Sequence, residues 1–168
     1  MTQFGPATAA CEVFTFREGV FAAVGHDLKL RVERFEIEAD RTKVSARFDA
    51  NSLRVVAAMR GGKEDTLPDR DRAEIERNIV REVLETHRHP EIRFVSTAIF
   101  PGRVRGTLSL HGRESSGEFP FEESAGRCIA SIDLDVRRFG IRPYSAMLGA
   151  LRVAPIVRVV VSTPSPDV

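Results

Sequence analysis

The sequence contains no tryptophan, a single tyrosine (Tyr144) and only two cysteines, Cys11 and Cys128. The separation of the two cysteines matches no metal-binding or redox motif, so a cysteine-based centre of either kind is not predicted. A chain of 168 residues buries roughly 70% of its surface as one domain, so it needs no disulfide for stability. We expect two reduced thiols, with a disulfide between neighbouring strands as the alternative.

Neither sign of charge is in excess. The sequence has 25 lysines and arginines against 24 aspartates and glutamates, interspersed along the chain, for a formal net charge of +1. A nucleic-acid-binding surface needs basic residues gathered on one face, so we predict no nucleic-acid partner. With 42% hydrophobic and 29% charged residues, the composition is that of a globular protein and excludes disorder for the bulk of the chain.

Long hydrophobic runs are also absent. No apolar run approaches the roughly 18 residues that a membrane-spanning helix needs, so we predict no membrane span. Residues 1–11 contain no lysine or arginine and no sustained apolar segment, so they do not resemble a signal peptide. We therefore expect a cytoplasmic protein.

The dominant pattern is an alternation of apolar and polar residues, which is typical of strands with one buried face. Leu28, Leu30 and Val32 share one face, and after a slip of one residue the apolar positions 35, 37 and 39 continue it. Such a slip within a long strand indicates a β-bulge. Further strands are predicted near residues 13–16, 44–50, 92–99, 104–110, 119–121, 128–136 and 156–161. About eight antiparallel strands at this spacing indicate a barrel or a sandwich.

One segment follows a helical period instead. Apolar residues recur every three or four positions between residues 69 and 85, which predicts one amphipathic helix at about 70–85. Asp69 or Asp71 is expected to accept hydrogen bonds from the free backbone N–H groups at its start. A single helix among strands is expected to lie across a barrel mouth or against the wall.

Histidines supply the candidates for chemistry, and there are four: His26, His87, His89 and His111. His26 with Asp27 could form a general base and its orienting carboxylate, and His87 with His89 could present two imidazoles on one side of an extended segment. Catalytic zinc needs about three convergent ligands, and no metal-binding spacing of the H-E-x-x-H or C-x-x-C type is present. We therefore predict no metal and no cofactor. An enzyme that uses His26 and Asp27 remains the alternative function.

The interior of such a barrel can be filled or hollow. The eleven phenylalanines fall mostly on apolar strand faces or at strand ends, where they either pack the interior or line a cavity for an apolar ligand. Periodicity alone favours the filled interior, and a filled-barrel structural or stress-related protein is therefore a third hypothesis.

Five segments in order resemble the YceI-like family of lipid- or polyisoprenoid-binding domains. They are residues 24–27 (VGHD), 48–53 (FDANSL), 89–96 (HPEIRFVS), 104–112 (VRGTLSLHG) and 139–141 (FGI) followed by Gly149. The resemblance covers roughly residues 10–162. It implies an all-β, lipocalin-like antiparallel barrel with an elongated apolar tunnel, and a single domain over residues 1–168 with a core at about 10–162 and a frayed tail at 163–168.

The resemblance also implies a function. Members of the family bind a long isoprenoid chain or a related amphiphile, often as dimers, and no catalytic activity is implied. We therefore expect a binding, carrier or sequestering protein for an apolar small molecule, present as a homodimer and not an enzyme. The residues expected to face the ligand are Leu30, Val32, Phe48, Phe94, Leu108, Leu110, Ile132 and Leu134, with Phe139 near a mouth.

Overall fold

The computed structural model describes residues 1–19, 25–146, 149 and 151–166. Within these residues there are fifteen strands: β1 (Thr2–Phe4), β2 (Ala10–Thr15), β3 (Arg17–Glu18), β4 (Asp27–Val32), β5 (Phe35–Ala39), β6 (Val44–Asp49), β7 (Leu53–Arg60), β8 (Lys63–Asp65), β9 (Glu91–Phe100), β10 (Arg103–Leu110), β11 (Arg113–Ser124), β12 (Arg127–Asp135), β13 (Ser145–Ala146), β14 (Leu151–Val153) and β15 (Ile156–Pro164). One helix, α1 (Asp69–Asn78), lies between β8 and β9.

Twelve of the strands form one antiparallel sheet in the order β1-β5-β6-β9-β10-β11-β12-β15-β2-β4-β7-β8. Strands β4 and β5 are consecutive parts of one segment, and so are β6 and β7. Near one end of this order β5 pairs with β6, and near the other end β4 pairs with β7. Because the same two segments occur at both ends, the sheet returns to where it began. The predicted all-β antiparallel barrel is confirmed.

Fifteen strands are present where about eight were predicted. The bulge divides one predicted strand into β4 and β5, and β7 and the short strands β1, β3, β8, β13 and β14 were not predicted. The predicted slip after Val32 is present: Glu33 and Arg34 separate β4 from β5. Ser52, which is fully buried, satisfies the backbone there, since its Oγ accepts a hydrogen bond from the Arg34 backbone N–H at 2.9 Å. Its carbonyl accepts another from the Glu33 N–H at 3.1 Å. The bulge therefore breaks the strand without leaving polar groups unpaired.

Both ends of the chain are more ordered than predicted. Strand β1 pairs with β5, and its Phe4 is buried in a cluster with Ile37 and Ala46. Strand β15 continues to Pro164, and the Ser165 N–H donates to the Gly126 carbonyl at 2.9 Å. The predicted core of about 10–162 is thus too short. Of the residues assigned to a frayed tail, Thr163 and Pro164 pair with β12 and Ser165 bonds to Gly126 in the turn before it; residues 167 and 168 lie outside the described residues.

The helix occupies the predicted position. It continues past Asn78 as one π-helical turn, Ile79–Val83, in which the Leu84 N–H donates to the Ile79 carbonyl. The predicted side-chain cap is wrong: the capping residue is Pro68, and Asp69 and Asp71 lie inside the first turn. Their carboxylates still stabilise the helix there by opposing the positive end of its dipole.

One face of the helix covers one end of the barrel. Ile75 and Ile79 pack against a buried cluster that β4, β7 and the segment before the helix supply, namely Leu28, Leu30, Val55, Ala58 and Leu67. Further along, Val83 and Leu84 pack against Leu110, Phe139 and Ile141. The helix thus covers part of one mouth, which is one of the two positions that the sequence left open, and its residues Ile75 and Ile79 line the interior.

Strands β9 and β10 approach closely at Gly106, so this glycine of the barrel wall has no space for a larger side chain. A Cβ added there would lie 2.5 Å from the Phe94 ring and 2.6 Å from the Val95 carbonyl oxygen, which belongs to the backbone and cannot move aside cheaply. We expect Gly106→Ala to lower the free energy of unfolding by about 1–3 kcal/mol in urea denaturation.

The matched control is Gly117→Ala, at the residue that pairs with Gly106 across β10 and β11. A Cβ at Gly117 meets nothing closer than 3.6 Å, so its free energy of unfolding should change by less than about 0.5 kcal/mol. Equal destabilisation by both variants would contradict the packing described for Gly106.

Candidate ligand-binding site

The barrel encloses a cavity of about 1000 Å³. Its lining comes from every long strand of the barrel and from the helix, because alternate residues of each strand point inward. Ligand-binding pockets commonly have volumes of about 300–1,000 Å³, so this cavity is at the upper end of that range.

Most of the residues predicted to face a ligand line this cavity. Eight of the nine do so: Leu30, Val32, Phe48, Phe94, Leu108, Leu110, Ile132 and Leu134. Strand β12 shows the alternation directly, since Ile132 and Leu134 line the cavity while Ser131 and Asp133 are exposed on the outer face. The structure therefore brings these eight side chains together. Whether they contact a ligand remains a prediction.

Phe139 is placed differently from the other eight. It is 2% exposed and packs with Leu110 and Ile141, and it is not part of the described cavity lining. It follows β12 in the short 3-10 helix Val136–Phe139, and Gly140 then reverses the chain with a φ of 69°. The side chain is thereby directed into a packed cluster at the helix-covered end of the barrel.

Several lining residues were not singled out from the sequence. Val157, Val159 and Val161 of β15 line the cavity, as do Val13 of β2 and Ile79 of the helix segment. The valines of β15 alternate with Arg158 and Val160, so the period-two pattern could have identified them. The run of three valines at 159–161 hid that pattern because its outward position, Val160, is apolar as well.

Charged residues of the lining belong mainly to the two ends of the barrel. Asp40 and Arg41, in the turn between β5 and β6, belong to one end. Arg17, His26 and Arg152 belong to the other end, beside the helix. Between these ends the inward residues of the strands are mostly aliphatic or phenylalanine. The arrangement suits a molecule with a long apolar body and a polar terminus.

The polar groups at the helix-covered end are already paired with one another. The Arg152 guanidinium contacts Glu18 at 2.8 Å. Asp27 accepts a hydrogen bond from the Arg17 backbone N–H at 2.8 Å, and the Arg17 side chain donates to the Gly25 carbonyl. These contacts hold two arginines at the mouth in a fixed arrangement.

His26 and Asp27, the catalytic pair considered as an alternative, have different surroundings. His26 lines the cavity and is exposed, whereas Asp27 is engaged with Arg17. Within the described residues, no hydrogen bond joins the two side chains. The carboxylate that would orient the imidazole is therefore used for a structural contact. Val24, the first residue of this motif, lies outside the described residues.

The two cysteines are not bridged, as expected. They lie on β2 and β12, the two strands that flank β15, and both line the cavity. Burial raises the pKa of the Cys11 thiol to about 12, and Glu12 adds to the shift. Burial and a hydrogen bond to Glu123 also raise the pKa of Cys128, which is only half-buried.

The wall of the barrel opens between β11 and β12. Among the described residues these strands pair only from Phe121 with Ala130 to Ser124 with Arg127, although β11 begins at Arg113 and β12 continues to Asp135. A groove of about 680 Å³ lies between the separated parts. Leu108, Ile132 and Leu134 line both this groove and the cavity. The groove therefore borders the interior from the side.

No helix among the described residues is long and apolar enough to cross a membrane.

Comparison with known proteins agrees with the resemblance seen in the sequence. The model of the YceI-like domain matches residues 7–163. A comparison with curated proteins gives no match.

Three solved structures show the same fold. A polyisoprenoid-binding domain from Saccharophagus degradans, implicated in plant cell wall breakdown, has 12% identity and a TM-score of 0.59, with 98% of this chain and 97% of that chain covered. BcnA from Burkholderia cenocepacia has 12% identity and a TM-score of 0.58, with 92% and 94% covered. A YceI protein from Campylobacter jejuni has 10% identity and a TM-score of 0.50, with 83% and 86% covered. At these identities the likeness establishes the fold.

The difference in burial between the two cysteines predicts unequal reactivity. Thiolate is the reactive form, so Cys11, with a pKa of about 12, should be nearly inert towards a disulfide reagent such as DTNB at pH 8 in the folded protein. Cys128 should react faster because it is less buried. Cys128→Ser should remove the fast phase of the reaction with DTNB, and Cys11→Ser should leave that phase unchanged. Loss of the fast phase in Cys11→Ser instead would contradict the burial described here.

Proposed function

Because this chain belongs to the YceI-like family, we propose that it binds one long apolar amphiphile of the isoprenoid type inside the barrel and acts as its carrier or sequestering protein. The observation that carries the proposal is the cavity of about 1000 Å³ with an apolar lining between two more polar ends. The fold shared with a polyisoprenoid-binding domain supports the class of ligand.

Burial of apolar carbon alone supplies enough free energy for such binding. One buried methylene contributes about 0.8 kcal/mol, so about 15 carbons of a prenyl chain contribute on the order of 12 kcal/mol before any cost. Loss of translational and conformational freedom takes back several kcal/mol, which leaves an affinity near micromolar or better. Affinity then depends on the shape of the cavity, with no single residue dominating.

The charges at the ends suggest how the ligand is oriented. Arg17 and Arg152 are fixed at the helix-covered end, and His26 lines the cavity beside them. We assign this end to the polar terminus of the amphiphile, where these side chains and water can satisfy it. The apolar chain then extends towards the opposite end of the barrel, between residues such as Phe48 and Phe94.

The opening between β11 and β12 offers a route into the cavity. Leu108, Ile132 and Leu134 line both the side groove and the interior, so an apolar chain could pass between the strands while staying in contact with apolar groups. The strands are held apart there without ladder hydrogen bonds, so little backbone pairing has to be broken for the ligand to enter.

We propose binding without catalysis. The cavity-facing position of His26 is the one feature that favours the enzymatic alternative, and the engagement of Asp27 by Arg17 opposes it. The volume of the cavity supports a hollow barrel over the filled barrel that periodicity favoured. The homodimer and the cytoplasmic location stay predictions from the sequence, for which light scattering and cell fractionation are the measurements.

Charge placed in the cavity should abolish binding. Leu108 lines the cavity, whereas its neighbour Thr107 is on the outer face, where its hydroxyl hydrogen-bonds to Ser116 at 2.8 Å. We expect Leu108→Arg to lose uptake of a prenyl quinone, because a guanidinium in an apolar cavity is costly to desolvate. Thr107→Arg should bind like the wild type. Calorimetric titration of the delipidated protein is the measurement, since the chain has no tryptophan to report binding by fluorescence.

A second variant separates loss of binding from loss of folding. Ile132→Trp fills part of the cavity without adding charge and should weaken binding while circular dichroism stays β-dominated. The proposal fails if the wild type shows no saturable binding to the prenyl quinone. It also fails if Leu108→Arg and Thr107→Arg, both folded, bind it equally well.

A further inference from the structure

We infer that Glu85, His89 and His111 form a binding site for a divalent transition-metal ion, distinct from the ligand cavity. One donor atom from each residue lies within 4.8 Å of the others. None of the three belongs to the described lining of the cavity. The site would tie the turn that follows the helix to the turn between β10 and β11, and zinc is the ion with which we would test it.

The three residues come from two separate parts of the chain. Glu85 and His89 lie in the segment between the helix and β9, and His111 begins the turn between β10 and β11. The prediction of no metal site rested on the absence of a known ligand spacing within the sequence. A site that forms where two turns meet has no such spacing, so no sequence motif marks it.

The contacts of His111 are compatible with the role of a metal ligand. Its Nδ1 lies 3.2 Å from the Phe139 carbonyl oxygen, and its Nε2 lies 3.1 Å from Glu85 Oε2. A carbonyl only accepts, so Nδ1 carries a proton. Nε2 donates to the Glu85 carboxylate when it also carries a proton, and it presents a lone pair when it does not. In the second state a metal ion can bind both Nε2 and the carboxylate oxygen, and donation from Nδ1 to a backbone carbonyl is the usual support of a metal-bound histidine.

His89 supplies the third donor of the cluster. Its ring centroid lies 4.3 Å from that of His111, with the planes at 50°. An imidazole binds metal through the lone pair of a neutral ring nitrogen.

Glu85 supplies a carboxylate, whose Oε2 lies 3.1 Å from His111 Nε2. The set is thus one anionic oxygen donor and two imidazoles, all partly buried. The Glu85 carboxylate has a second contact at 3.4 Å to Arg88, an exposed side chain that can move away.

The backbone fixes the positions of these donors. Glu85 and His111 both have left-handed φ values, 46° and 54°, which are uncommon for residues other than glycine. The next residue, Gly112, allows the two turns to meet, because a Cβ there would come within 3.0 Å of the His89 ring. The Arg88 and His89 N–H groups both donate to the Glu85 carbonyl. The juxtaposition therefore follows from the fold.

Two histidines, one carboxylate and an open position for water are a common donor set for zinc, and imidazole also suits other first-row divalent ions. Bonds of about 2.1 Å in a tetrahedral site place donors about 3.4 Å apart. The His111–Glu85 separation of 3.1 Å is close to this, and small side-chain rotations bring the third donor to the same spacing.

The test is a calorimetric titration of the full chain, stripped with EDTA and dialysed, with zinc chloride. We expect one ion per chain in the wild type. His89→Ala and Glu85→Gln should weaken binding at least about 100-fold, since even outer-shell changes cost 10–100-fold. His87→Ala is the matched control, because this exposed histidine is two residues from His89 and outside the cluster. The zinc affinity of this variant should equal that of the wild type.

A melting experiment provides the second readout. Zinc should raise the melting temperature of the wild type and of His87→Ala, because an ion that binds only the folded state stabilises it, and it should have no such effect on His89→Ala. The inference is overturned if the wild type binds no zinc, if His89→Ala binds as tightly as the wild type, or if His87→Ala loses binding. None of these outcomes depends on whether the cavity binds a lipid.

Discussion

The barrel depends on one long hairpin, in which residues 27–39 pair with residues 44–60 along their length. The part of the hairpin next to its turn, where β5 pairs with β6, belongs to one end of the sheet order. The part away from the turn, where β4 pairs with β7, belongs to the other end. The hairpin therefore joins the two ends of the sheet order, in which β1 and β8 are the terminal strands. Ser52 makes this feasible, since it satisfies the backbone groups that the bulge at residues 33–34 would otherwise leave unpaired.

Closure is also what produces the cavity. In a closed sheet, every second side chain of each strand points into the barrel. The residue types at these positions therefore determine the polarity of the interior. Aliphatic and phenylalanine side chains face one another in the middle, while the charged residues belong mainly to turns and strand ends. The helix covers one mouth, and the separation of β11 from β12 leaves a side opening next to Leu108 and Ile132.

The features that could be predicted from the sequence are those that repeat along it. Alternation identified eight strand segments and eight of the inward residues, and the slip after Val32 located the bulge. Strand β7, which pairs with β4, was not predicted. Features that depend on distant segments were missed. Phe4 gives no periodic signal in a strand of three residues, and Phe139 is turned away from the cavity by Gly140. The Glu85–His89–His111 cluster exists only because two turns meet, which no local spacing records.

The side opening was equally invisible in the sequence. Strands β11 and β12 both have strand-forming patterns, and nothing in either pattern shows that their ladder stops at Phe121 and Ala130. Which strands pair, and how far, is decided by the curvature of the whole sheet. Local sequence therefore determines the class of fold and the character of the interior, while tertiary geometry determines access to it.

The most direct test of the central claim, that the barrel holds an apolar amphiphile, is native mass spectrometry of the protein as purified. The account predicts a species heavier than the bare chain by one amphiphile per protomer, released by organic extraction and identified as isoprenoid-like. It also predicts that the delipidated protein regains one equivalent of added prenyl quinone. A bare mass that stays unchanged in the presence of excess prenyl quinone would contradict the account.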